Sequence, residues 1–223
     1  MTIDLTSYRS IGNLTDWLVR FSIVMIILTV VAFAATSYQT LLAEYNPQFD
    51  KVYDITGIFI LIVSILLNIS LLFWYYRATK NIHSFGAKEV TSPRMAVVWW
   101  LIPIAFLWKP YTVAQQIWKS SNPDIKLTNG TEWKNTSSSK IIKLWWFLTL
   151  ASIFGSIVTG VGSGIGFITL YNTDPELFGE STQARLFQSI LSIPFLILEI
   201  ISIYYFIRVV TQISKWQYQK SLS

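Results

Sequence analysis

The chain has 223 residues, of which 52 % are apolar and only 13 % charged, with a formal net charge of +5. Soluble domains carry about 25 % charged residues, so this balance excludes a disordered chain and favours a multi-span membrane protein over a soluble enzyme. The absence of Cys and the single His leave no disulfide, thiol chemistry or His-rich metal centre to build, and neither a cofactor nor an enzymatic activity is expected.

Crossing the roughly 30 Å hydrocarbon core takes about 20 mostly apolar residues in a helix. Four stretches qualify: about Trp17–Gln39, Tyr53–Tyr76, Leu144–Tyr171 and Leu186–Val210. None alternates with a period of two, which argues against a transmembrane barrel. The first is too long for a signal peptide and lacks a clean cleavage site; it is expected to remain as a span, with Thr15 or Asp16 near its cap. The expected fold is an all-α integral membrane protein, a single membrane domain over residues 1–223.

Lys and Arg placement sets orientation. The links between spans one and two and between spans three and four each sum to −2, whereas residues 77–143 carry ten Lys or Arg against Glu89, Asp124 and Glu132, or +7. Both termini and the basic middle section are therefore expected in the cytoplasm, facing anionic lipid heads. The basic residues flank spans and form no separate basic domain, so nucleic acid is not an expected partner.

Inside that middle section lies a fifth apolar stretch, Met95–Trp108. Ser92-Pro93 reads as a helix start, with Ser as cap and Pro in the first turn. Pro103 interrupts the run and Lys109-Pro110 ends it. A further helix is expected from Pro110 to about Lys119, and the polar run Asn129–Ser139 reads as a flexible loop. Basic residues on both flanks point to an interfacial or re-entrant segment over about 93–120, with a kinked full span as the alternative. Backbone broken at membrane depth must be sheltered by protein or wet cavity, and Trp suits the interface.

These residues resemble the bacterial membrane family catalogued as domain of unknown function 4328. An aromatic span ends in Arg77; Trp99, Trp100, Pro103, Trp108, Lys109, Pro110, Tyr111 and Trp118 follow in order. The likeness is clearest over residues 73–123. It implies a multi-span membrane protein and carries no mechanism with it.

Polar residues within the spans are the remaining signals. Glu199 sits mid-span, where a charge costs at least ~2.5 kcal/mol; interhelical glue and a proton or cation site are both open readings. Asn68 is nine residues before Arg77, as Glu199 is before Arg208, so the two are expected at similar depth. The strings NISLLFWYYRATKNI and EIISIYYFIRVVTQI suggest a parallel duplication, with chance similarity as the alternative. Ser152, Ser156, Gly160 and Gly164 recur every four residues, a strip suited to close helix packing within the bundle or in a homo-oligomer or partner-subunit contact. His83 reads as an exposed helix residue before Gly86, a candidate C-cap. Two functions follow: an accessory or organising subunit acting through helix and lipid contacts, or a small transporter or channel using the broken segment and Glu199.

Overall fold

Hydrocarbon offers no hydrogen bonds, so an apolar run that crosses it must satisfy its peptide groups internally. All four runs are helical in the computed structural model. It describes residues 7–42, 47–173 and 182–222, and their side chains except those of 36, 39–42, 47–50, 53, 159–173, 182–189 and 191. The helices are α1 (Gly12–Leu42), α2 (Pro47–Ser84), α3 (Pro93–Val98), α4 (Pro103–Phe106), α5 (Lys109–Ser121), α6 (Lys140–Thr173) and α7 (Thr182–Ser221), with a 3-10 turn at Glu132–Asn135.

Four of these helices are long and apolar enough to cross a membrane, within Gly12–Ala35, Asp54–Ser84, Lys140–Val158 and Ser192–Ser221. In the most apolar part of each, only 6 to 33 % of residues are buried by protein. Apolar side chains exposed in such numbers need a hydrocarbon solvent. This is a multi-pass helical membrane protein.

The helices overrun the expected spans. Helix α1 begins at Gly12, whose N–H donates to Ser10 Oγ, so Thr15 and Asp16 lie inside its first turns, not at a cap. Helix α2 runs on to Ser84, where Gly86 at φ +90° stops it. The Ala87 N–H donates to Ile82 O and the Gly86 N–H to His83 O, which is the paired bonding of a Schellman cap, with Ile82 and Ala87 buried as its apolar contact. Gly fits because it alone takes positive φ without steric cost. His83 is exposed, as expected, with Nε2 3.1 Å from Thr91 O.

The chain packs as two compact units. One comprises Met1–Ser22, Ile65–Trp146 and Ile203–Ser223, and so holds the whole middle section and the helix ends that adjoin it. The other comprises Ile23–Ser64 and Phe147–Ser202. In this second unit α6 and α7 meet closely. A Cβ on Gly155 would stand 2.0 Å from the Phe195 ring, and Thr149 Oγ1 lies 2.8 Å from Ser202 Oγ. Packing and polar contacts of this kind hold helices together where the solvent is itself apolar.

Gly155→Ala is expected to force the Phe195 ring aside and cost about 1–3 kcal/mol by overpacking, read as a lower thermal midpoint in detergent. Pairing it with Phe195→Ala should make the double variant more stable than additivity of the two single losses predicts.

Candidate functional site

The middle section leaves α2 and returns to α6 within one unit. Its helices α3, α4 and α5 have 6, 4 and 13 residues. None of the three alone reaches crossing length. Local chemistry explains the pieces. Ser92 caps α3, its Oγ accepting from Met95 N at 3.4 Å, with Pro93 in the first turn. Ile102 is extended (φ −95°, ψ 110°), as the ring of a following proline requires, and Pro103 opens α4. Pro110 sits in the first turn of α5, where its missing N–H is not needed.

The breaks between helices are closed by tight turns. Trp100 N–H donates to Val97 O, Leu101 to Val98 O, Leu107 to Ile104 O and Trp108 to Ala105 O, at 3.0 to 3.2 Å. Two carbonyls near the second break accept from side chains of the long helices: Trp146 Nε1–H donates to Leu107 O at 2.9 Å, and Tyr75 Oη–H to Pro110 O at 3.4 Å.

These two donors belong to an aromatic layer. Trp100 packs edge-on against Tyr75 and Trp146, with ring centroids 5.2 and 5.9 Å apart, and tilted against Phe106 at 5.7 Å. Trp145 continues the layer from Trp146 to Phe206, and Trp74 continues it from Tyr75 to α1 by donating Nε1–H to Thr15 Oγ1 at 3.0 Å. Each ring pair adds about 0.5–1.5 kcal/mol beyond area burial. Tyr75, Trp146 and Phe206 belong to α2, α6 and α7, so the layer ties the broken segment to three of the long helices. Two of the segment's aliphatic side chains point outward: Leu101 and Ile104 are 69 % and 72 % exposed, while Ala96 and Ala105 are buried.

The family-motif residues fall into separate contacts. Trp99 closes α3 and carries the Lys109 ammonium 4.9 Å above its ring. Trp100 sits in the aromatic layer, and Pro110 is tied to it by Tyr75. Pro103 makes the break, and Trp108 stands half-exposed before α5. Trp118 packs edge-on against Trp216 at 4.5 Å. Arg77 and Tyr111 are partly buried on α2 and α5.

A polar cluster, not foreseen from the sequence, fastens the same unit. Asn81, fully buried, accepts from Arg9 N–H at 3.2 Å through Oδ1, and through Nδ2 donates to Arg9 O at 2.9 Å and to Gln217 Oε1 at 2.7 Å. Gln217, also fully buried, donates onward to Ala78 O and Ser121 Oγ. One turn later the Lys220 ammonium donates to Ser120 O, Asn122 O and Ile125 O at 2.8 to 3.1 Å. All three ammonium protons are thereby satisfied at the C-terminal end of α5, where a helix favours a cation. Asn81 thus joins the segment before α1 to α2 and α7, and Gln217 joins α7 to α5.

The run Asn129–Ser139 is an ordered connection, contrary to the flexible loop expected. Trp133 is buried and donates Nε1–H to Lys88 O at 3.0 Å. Gln115 accepts from Ser139 N–H and donates to Ser139 O. Lys134 pairs with Glu89, and Glu132 accepts from Asn129 N–H and Gly130 N–H. Polar composition suggested mobility; the buried indole and these bonds remove it.

In the spans, Glu199 is partly buried on α7 in the second unit and Asn68 is exposed on α2 in the first, so their shared depth remains an expectation. Ser152 bonds back to Leu148 O at 2.9 Å and Ser156 is exposed. The packing of Gly160 and Gly164 lies outside the described residues. The close contact that is described on α6 is at Gly155, which the four-residue spacing passed over. A second Trp-Trp pair, Trp145-Trp146 at the head of α6, was the readable sign of the aromatic layer.

Residues 46–215 match the family described as Domain of unknown function (DUF4328). The chain belongs to this family. No curated protein and no solved structure matches it. The DUF4328 match takes in α3 to α5, the aromatic layer, and Asn81 within the polar cluster, while Gln217 and Lys220 fall just beyond it.

Two outcomes test this geometry. Gln217→Leu deprives the cluster of three hydrogen bonds and should destabilise the protein by about 1–3 kcal/mol, seen as a lower melting midpoint and faster proteolysis ahead of Gly12. The Asn129 N–H above all, with those of Glu132 itself, Gly130 and Thr131, holds the Glu132 carboxyl below the usual carboxylate range. Its contribution is present above the ordinary glutamate range and lost as pH falls through the folded value. Cleavage of residues 126–139 by an acid-active protease should therefore rise at low pH in the parent and vary little with pH in Glu132→Gln.

Proposed function

We propose that this DUF4328 protein is a non-catalytic accessory or organising component of the cell membrane, acting through helix and lipid contacts. Its termini and residues 77–143 face the cytoplasm, where the +7 charge of that section meets anionic lipid heads. The observation that carries this reading is a rigidly held segment with an outward apolar tip. Aromatic rings and two side-chain donors fix α3 to α5 against the long helices, yet Leu101 and Ile104 stay uncovered by protein. A surface built so firmly and left apolar is suited to lipid or to a membrane partner, including a second copy of this chain.

One observation favours transport instead. Glu199, in an apolar helix, has no hydrogen-bond partner among the described residues, and an intramembrane carboxyl is a candidate for proton or cation handling.

The chain has no Cys, which suits single-cysteine labelling from either face. Under the contact reading, probes at Asn68, Glu199 and Val97 resist aqueous reagents from at least one face, and a reporter fused after Ile125 is active in the cytoplasm. Modification of the mid-span positions from both faces supports transport, and a periplasmic reporter overturns the orientation.

A further inference from the structure

We propose that the apolar tip and Lys109 together hold an anionic phospholipid, its phosphate on the ammonium and an acyl chain along Leu101 and Ile104. The site rests on the reading above, that the broken segment lies in the leaflet beside the helix ends of its unit.

Three observations converge on it. The first is charge. Residues 90–123 contain Arg94, Lys109 and Lys119 and no Asp or Glu. The ion pair found among the described residues joins Lys134 to Glu89, so among those residues Lys109 has no carboxylate partner. The second is position. The Lys109 ammonium is held 4.9 Å from the centre of the Trp99 ring, and a cation over an indole face is attracted to it without losing its donors. Trp99 and Lys109 bracket the tip in sequence, so a charge is fixed at its base. The third is the tip itself, where Leu101 and Ile104 are 69 % and 72 % exposed while the segment's alanines turn inward. A headgroup at Lys109 and a chain at the tip match a lipid's two chemistries in order. A free phosphate would use the ammonium and leave the apolar surface uncovered.

The test uses the full chain extracted with its native lipids into polymer-bounded discs, with bound phospholipids quantified by mass spectrometry. Lys109→Gln should lower the ratio of anionic to zwitterionic lipid about fivefold, the equivalent of about 1 kcal/mol for one basic residue at the surface. Lys134→Gln, which removes a charge from the same section, should leave the ratio unchanged. Equal loss in both variants, or no loss in Lys109→Gln, overturns the site. A nitroxide at Leu101→Cys separates this failure from failure of the underlying reading. A label reached by oxygen and not by an aqueous nickel complex keeps the segment in the leaflet whatever the lipid ratio does. A label reached by the nickel complex removes the segment from the leaflet and the site with it.

Discussion

The constraint on which the structure depends is that a peptide group taken out of water must find a partner within the protein. Long helices meet it automatically. Residues 93–121 cannot, because Pro103 and Pro110 each remove a donor and forbid a continuous helix through the preceding turns. The chain meets the constraint in two other ways. Tight i to i−3 bonds close the stretches 97–101 and 104–108. Trp146 and Tyr75 then supply side-chain protons to the carbonyls of Leu107 and Pro110. Those same two rings pack on Trp100. Hydrogen bonding and aromatic packing are therefore one arrangement, and neither survives if the segment shifts along the long helices.

Two regimes of cohesion follow from solvent. In the first unit, buried amides and an ammonium bond across 72 to 139 residues of sequence. Such groups are costly to strand, so these bonds together fix one arrangement. In the second unit, α6 and α7 meet through a glycine, a ring and a pair of hydroxyls. There the surroundings are as apolar as the side chains, and shape decides contact.

Features governed by local chemistry were legible in the sequence. Hydropathy found the four long helices, the Ser92 cap and Pro103 break were read from residue type, and Gly86 was recognisable as a helix stop. Helix ends were less legible. Hydropathy marks the apolar stretch, whereas the hydrogen-bond ladder continues into polar sequence, placing Gly12 and Ser221 well beyond the apolar runs. The polar cluster was not legible at all. Asn81 and Gln217 are unremarkable amides on polar helix extensions, and only tertiary proximity makes them partners. Trp133 was hidden for the opposite reason: one indole among serines, asparagines and lysines reads as loop until something to bury it against is known.

This linkage bears on mechanism. A transport cycle that moved α7 against α2 or α5 within the first unit would have to open the Gln217 bonds and release the three carbonyls held by Lys220. Each buried group stranded in that way costs about 1–3 kcal/mol, more for a charged one. A protein that works by contact has no such requirement, because its active surface is the one already displayed. The tie between Asn81 and Arg9 extends the argument to the segment before α1, which is held by the same amide that holds α7. Rigidity here is thus shared among the start of α1, the middle section and the end of α7.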